Sequence, residues 1–408
     1  MLSSVTTGVL RPLAKAFQVN GREISGPQFD SIINKDSKLL LPSDIEVILA
    51  EKPQEMEDAL FERVNEVVLD TIGDGVYIRG IVEYSNICDK NCYYCGIRKD
   101  QDLADPEHRP SRFTIPKRQI MDAAEHIMDR HWPGMLLQGG ETPDEARVDW
   151  LADVCKSIIT RADEKEQERP EAERREEPIR IILSSGELEK EQYAQLREAG
   201  ASRYLLRIET SDHALYNTMH PEDHSWSRRL RALGDLRETG YQVGTGVLLG
   251  VPGQTDAHIA RDVMFLRDFD VDMVGSGPYI PAEGTPMGDP YNLNPPITQE
   301  ELMKKTRRFL AAVRLSCPTA NIAATTAMEA LWPNGRELAI RSGANVCMPV
   351  VTPQVYRDEY ALYEGKAEVK GKESALWDTI RRAGREPRID IPGDPLHYKL
   401  RTQGKGMH

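Results

Sequence analysis

The sequence predicts an α/β fold: a complete parallel (βα)8 barrel, with helices ahead of it and a strap behind it. Three observations carry this. Eight short apolar runs with strand character recur along the chain. Amphipathic stretches of helical period separate most of them. At 408 residues, the chain is long enough for one large domain.

The elements follow in order. Residues 1–25 read as a leader: MLSSVTTGVLRPLAKAF carries Arg11 and Lys15, and the first carboxylate is Glu23. This composition fits an organellar transit peptide, and with it a plastid, mitochondrial or hydrogenosomal matrix or stroma; the alternative is a disordered leader on a cytoplasmic protein. Residues 26–72 form a helical segment, in which Leu60, Val64, Val67 and Val68 keep helical spacing. The barrel spans 73–352. Its strands fall at 76–85, 134–141, 179–187, 203–210, 242–250, 272–280, 321–328 and 344–350. Helices are expected at 117–131, 148–160, 188–199, 225–239, 256–268 and 298–315, and a shorter one near 334–342. One stretch breaks the rhythm: RADEKEQERPEAERREEP (161–178) is nearly all charge and cannot bury a core face, so it is a solvated insertion, extending a helix or disordered. Residues 353–408 make a C-terminal extension, a helix at 375–385 followed by an irregular strap.

A net charge of −13 argues against a nucleic-acid partner. No apolar run reaches the length of a membrane-spanning helix. Six cysteines, three of them between 88 and 95, suggest a reducing compartment and a metal site rather than a disulfide framework.

Those three lie in CDKNCYYCGIRKD, on the loop after the first strand, where barrels of this kind gather their chemistry. Thiolates suit zinc or an iron–sulfur cluster. Structural zinc wants four protein ligands, and the loop supplies no fourth. Three ligands leave one iron of a 4Fe–4S cluster open to a small molecule. The C-x3-C-x2-C spacing of Cys88, Cys92 and Cys95, with Tyr94 before the last, resembles the radical S-adenosylmethionine (SAM) family. The resemblance implies one 4Fe–4S cluster and SAM. Cys155, Cys317 and Cys347 have packing as their default role.

Further candidates sit at the strand ends. Gln138-Gly139-Gly140-Glu141 closes the second strand, and its glycines let backbone approach a ligand. On the fourth strand, alternation puts Arg203, Arg207 and Glu209 on one face, where buried charge needs a polar partner. Gly244, Gly246, Gly275 and Gly277 enlarge the interior, and Thr325 and Thr326 offer hydroxyls at the end of strand seven.

A closer resemblance rests on EYSNICDKNCYYCGIRKD, RYLLRIET, TGVLLGVPGQT, DMVGSGPYIPAEGTP, ATTAMEALWPNGRE and GANVCMPVVTPQVYRDEYALYEGK. Together, over about 72–366, these are similar to HydE, the radical SAM maturase family of FeFe-hydrogenase, and the leader and charged insertion are like those of its algal-type members. The resemblance implies an iron–carbonyl–cyanide substrate carrying cysteine, whose sulfur a 5′-deoxyadenosyl radical attacks. It implies as partners a tyrosine-cleaving radical SAM maturase, a GTPase scaffold and an electron donor. Carried across, SAM contacts fall on Glu209, Arg228, Met348 and Tyr360, with Tyr94 near the cluster. Gln138 and Gly139-Gly140-Glu141 flank SAM or the cavity, and Arg203, Arg207, Thr325 and Thr326 line interior anion sites. Ile182 departs from the hydroxyl residue of relatives. GKAEVKGKESALW (365–377) has no cysteine, so no second cluster is expected. Biotin synthase, methylornithine synthase and a non-catalytic iron–sulfur carrier are the rival readings.

Overall fold

The computed structural model describes Leu13 and residues 15–103, 110–171, 174–175, 179–366, 373–389 and 391–403. The chain opens with a hairpin, Ala16–Val19 (β1) and Arg22–Ser25 (β2), with Val19 opposite Arg22. Its two-residue turn is Asn20-Gly21, both at positive φ (49° and 75°), the backbone that an Asn-Gly hairpin favours. Phe17 packs edge-on against Phe29 at 5.8 Å. Of the expected leader 1–25, Ala16–Ser25 is a packed element, and residues 1–12 lie outside the described ones.

The barrel strands are Gly75–Ile78 (β3) with Gly80–Ser85 (β4), Gly134–Gly139 (β5), Arg180–Ser184 (β6), Ala201–Leu205 (β7), Gln242–Thr245 (β8) with Leu248–Leu249 (β9), Met273–Val274 (β10) with Gly277–Pro278 (β11), Asn321–Ile322 (β12) and Val346–Cys347 (β13). Seven of these form one parallel sheet in the order β12-β10-β8-β7-β6-β5-β4. The eighth closes it. β13 pairs with β3 on one side, and on the other Val346 bridges Ala323, with Asn345 N–H donating to Ile322 O at 2.9 Å. The predicted barrel is present.

Helices Lys117–Asp129, Glu145–Glu168, Lys190–Glu198, Trp226–Glu238, Asp256–Asp268, Gln299–Ser316 and Gly335–Arg341 lie in the expected intervals. Of the charged stretch, 161–168 extends a helix. It stays helical because Lys165 reaches Glu125 (2.6 Å) and Asp129 (2.5 Å) on the neighbouring helix, and Arg161 also pairs with Glu125. Ahead of the barrel, helices Gly26–Ile33, Pro42–Leu49 and Gln54–Thr71 fill the expected segment.

The C-terminal extension holds more structure than expected. Helix Glu373–Arg382 leads to a ninth parallel strand, Glu386–Arg388 (β14), beside β3, and the last described element is helix Leu396–Gln403. Between them, Pro392–Asp394 crosses the barrel floor. Asn321 Nδ2 donates to Gly393 O at 2.7 Å, and Gln242 Nε2 to Asp394 Oδ1 at 2.5 Å. The interior is thus layered: a polar floor, then an apolar layer of Ile81, Leu136, Ile182 and Met273 with Met348 packed on it, then a chamber.

Candidate active site

The chamber occupies the strands' C-terminal end, with a volume of 330 Å³. Every predicted site residue borders it except Arg203 and Arg228. The cysteine loop is pinned at its base by Arg112, whose guanidinium donates to Asn86 O, Ile97 O and Arg98 O at 2.7, 2.9 and 2.6 Å. Across the chamber, Glu141 N–H points at Cys88 Sγ, 3.4 Å away. Gly140 is squeezed beneath the loop: a Cβ there would lie 2.2 Å from Ile87 O.

Burial pushes all three thiols up, Cys95 to about 12. Three buried thiolates therefore need positive charge beside them. Among the described residues no three His, Cys, Asp or Glu side chains converge as a single-ion site, which structural zinc would require. Three soft donors around one chamber, with no fourth thiol or imidazole among the described residues that line it, fit an iron–sulfur cluster with an open iron.

Beside the loop lies a charged network. Glu141 Oε2 accepts from Glu187 N at 2.9 Å, and Lys90 Nζ stands 3.2 Å from Glu141 Oε1. Arg229 Nε donates to Glu187 and Nη1 to Arg207 O (2.6 Å). Burial opposes the Arg229 charge, but Glu187, Tyr216 and Glu141 outweigh it and hold the guanidinium protonated. Arg228 does not border the chamber here: its side chain is 48 % exposed, with Nη2 2.8 Å from Glu189 and Nε 3.4 Å from Glu187. One residue along a helix rotates the side chain by about 100°, so Arg229, not Arg228, faces the chamber.

Arg203 lies away from the chamber too. It shares the inner face with Arg207, as alternation requires, but sits on the floor: Nη2 donates to Asp394 Oδ1 at 2.6 Å and Pro392 O at 2.9 Å. Four residues along a strand is about 13 Å of height, and Leu205 separates the levels. The glycines also do more than widen the interior. Gly275 and Gly277 border the chamber, but Gly246 permits close strand approach, since a Cβ would sit 2.3 Å from Gly275 O.

Glu209 takes a left-handed backbone (φ 66°), held by Gly246 O and Leu248 N on the adjacent strand at 3.0 Å each. Strain of this kind persists where surrounding structure over-determines it, often at functional sites. Its Oε2 lies 3.0 Å from Arg207 Nη2, a charge contact not aligned as a hydrogen bond. Arg207 Nε and Nη2, Glu209 Oε2 and Thr325 Oγ1 are all buried without hydrogen-bond partners. Thr325 caps helix Thr326–Leu331 by position but makes no side-chain cap bond, and Thr326 takes a 3.4 Å contact from Arg336. Gln138 and the buried Tyr360 both border the chamber. Sequence reasoning missed Glu83 and Lys366, which pair across the chamber mouth, with Thr352 Oγ1 donating to Glu83 at 3.1 Å. Nothing in the sequence joins residues so far apart.

Residues 82–266 match the radical SAM superfamily. The chain is 36 % identical over 340 residues to the [FeFe] hydrogenase maturase subunit HydE of Thermotoga maritima, covering 82 % of this chain and 88 % of that one. The chain belongs to the HydE family. HydE-type chains are radical SAM enzymes, so one 4Fe–4S cluster and SAM are its cofactors. More distant similarity, 22 % identity each, links it to the biotin synthase of Persephonella marina (86 % of this chain, 91 % of that one) and the 3-methylornithine synthase of Methanosarcina barkeri (87 % and 92 %). Among solved structures, methylornithine synthase (PylB) superposes with a TM-score of 0.68 at 19 % identity over 88 % of this chain and 97 % of that one. The maturase HydG of Carboxydothermus hydrogenoformans superposes with 0.71 at 19 %, over 91 % and 82 %. Both likenesses are of fold alone.

Proposed function

We propose that this HydE-family enzyme acts in assembly of the two-iron subcluster of FeFe-hydrogenase. Its substrate is an iron–carbonyl–cyanide complex carrying cysteine. Bound in the chamber, the cluster and SAM would supply a 5′-deoxyadenosyl radical for attack on a sulfur of that substrate. Cys88, Cys92 and Cys95 hold the cluster. Glu209 and Arg229 meet the charged ends of SAM, with Met348, Tyr360 and the Gly139-Gly140 backbone around it. Arg207, Thr325 and Thr326 take the substrate's anionic ligands.

The carrying observation is the set of atoms on Arg207, Glu209 and Thr325 that make no hydrogen bond, buried in one chamber with three thiols, the first two residues facing each other as a charge pair. Buried polar groups left unpaired are costly, so they point to a polar, charged ligand. The partners on this reading are a tyrosine-cleaving radical SAM maturase, a GTPase scaffold and an electron donor. Expression with those maturases and an apo-hydrogenase tests it: hydrogen evolution should depend on this chain, and maturation that proceeds equally without it would refute the reading. Organelle targeting by the N-terminal residues is a separate proposal, and a fluorescent fusion of residues 1–30 that stays cytosolic would count against it.

A further inference from the structure

The chamber wall carries a second pair of charges, to which the reading above gives no role. Alternation along β4 puts Glu83 on the same inward face as Ile81, one step above the apolar layer. Its partner arrives from 283 residues along the chain. The segment after β13 is tied to the cysteine loop: Gly96 N–H donates to Leu362 O at 3.1 Å, and a Cβ on Gly96 would lie 2.1 Å from Ala361 O. Gly365 then turns the chain through a left-handed backbone (φ 70°) and delivers Lys366 to the chamber.

Both charges are nearly enclosed, with 11 % of the Lys366 side chain exposed and 3 % of Glu83. Lys366 Nζ donates to Glu83 Oε1 and stands 4.8 Å from the centre of the Tyr360 ring. Glu83 Oε2 accepts from Thr352 Oγ1 at 3.1 Å, and the same hydroxyl oxygen accepts from Glu83 N at 2.9 Å, which fixes the carboxylate. An ammonium has three donors. Glu83 takes one and the Tyr360 ring faces the charge, which leaves Nζ a donor for a ligand in the chamber. Such a pair adds little to stability by itself, because the cost of removing two ions from water offsets much of their attraction.

The other cations that border the chamber, among the described residues, are engaged. Lys90 lies 3.2 Å from Glu141 and 3.8 Å from Glu187, and Arg229 donates to Glu187. Arg207 faces Glu209 and, on the reading above, the anionic ligands of the iron. The cysteine that the substrate carries brings one more anionic group, its carboxylate, and a carboxylate entering a buried chamber needs a cation. We propose that Lys366 takes this carboxylate, with Glu83 and Tyr360 holding the ammonium in place. Lys366 is then a specificity-determining residue: it selects an amino acid on the iron over a plain thiol. The inference rests on the substrate reading given above.

The test is titration calorimetry on the full-length, cluster-loaded protein with SAM, using two synthetic iron–carbonyl–cyanide complexes. One carries L-cysteine and the other cysteamine, which is cysteine without the carboxylate. The unmodified protein should hold the cysteine complex about 10- to 100-fold more tightly. Lys366→Met should lose that preference by weakening the cysteine complex alone. Glu83→Gln combined with Lys366→Met removes both charges, so no buried carboxylate is left unpaired, and the two complexes should then bind alike. Should Lys366→Met by itself lose its cluster, this double variant decides. A preference that survives in the double variant overturns the proposal, as does an unmodified protein that holds both complexes equally; either result leaves the substrate reading standing. An unmodified protein that binds neither complex refutes that reading, and the proposal falls with it.

Discussion

Thr325→Val separates ligand recognition from stability, because the two should move in opposite directions. The Thr325 hydroxyl is buried and unpartnered, and Gly277 opposite leaves room for it: a Cβ there would come within 2.8 Å of Thr325 Oγ1. Valine keeps the shape and deletes the unpaired group. No helix cap is lost, since the side chain makes no cap bond. Burying an unpaired hydroxyl costs about 1–3 kcal/mol, so the substrate-free protein should gain stability of that order. For a large domain this reads as a rise of roughly 2–4 °C per kcal/mol at most. Substrate binding should lose a hydrogen bond of similar size, about 5- to 150-fold in substrate-dependent rate below saturation. Basal SAM cleavage should stay near that of the parent. Differential scanning calorimetry of the cluster-loaded protein gives the first quantity, and hydrogenase maturation at limiting substrate gives the second. A lower Tm with undiminished maturation would refute the claim that this hydroxyl awaits a ligand.

Other variants probe the framework. Gly140→Ala drives a methyl to 2.2 Å from Ile87 O, so the cysteine loop must shift by close to 1 Å; a misplacement of that size costs about 100-fold in rate, and cluster occupancy and SAM cleavage should fall while circular dichroism stays unchanged. Asp394→Asn leaves the buried Arg203 and Arg79 without their carboxylate. It should cost about 3–5 kcal/mol in denaturant unfolding, with SAM cleavage per folded molecule intact, because the apolar layer lies between. Burial pushes the Asp262 carboxyl up to about 6, although Ser211 hydrogen-bonds it. A raised carboxyl pKa contributes stability below its unfolded value of about 4, lost as pH rises through about 6. Asp262→Asn should flatten that segment of the stability–pH curve, and an unchanged slope would contradict the assignment.

The barrel was legible because strand and helix leave different apolar periods, and eight repeats leave little choice of architecture. The cysteine loop was legible because its spacing is chemistry rather than packing. Arg203 was misplaced because alternation gives the face of a strand and not the height: Arg203 and Arg207 share a face, but one meets the strap and the other the chamber. The signal for Arg229 was present and went unread. Ala232, Leu233 and Leu236 are buried at three, four and seven residues beyond it, so helical period already put Arg229 on the inward face. The Asn-Gly hairpin was also readable, from VNG flanked by alternating residues, but it was absorbed into the leader on composition. The Glu83–Lys366 pair and the strap's docking on the floor were not readable, because each joins distant segments through side-chain geometry.

The central claim is that three cysteines at the mouth of this chamber turn SAM into a radical source. The direct measurement is 5′-deoxyadenosine formed on reduction of the anaerobically reconstituted protein, alongside iron per chain, for the parent and for Cys92→Ala. The parent should hold about four irons per chain and form 5′-deoxyadenosine only with reductant, and Cys92→Ala should lose both. A fully loaded parent that yields no 5′-deoxyadenosine, or a Cys92→Ala variant that yields as much as the parent, would contradict it.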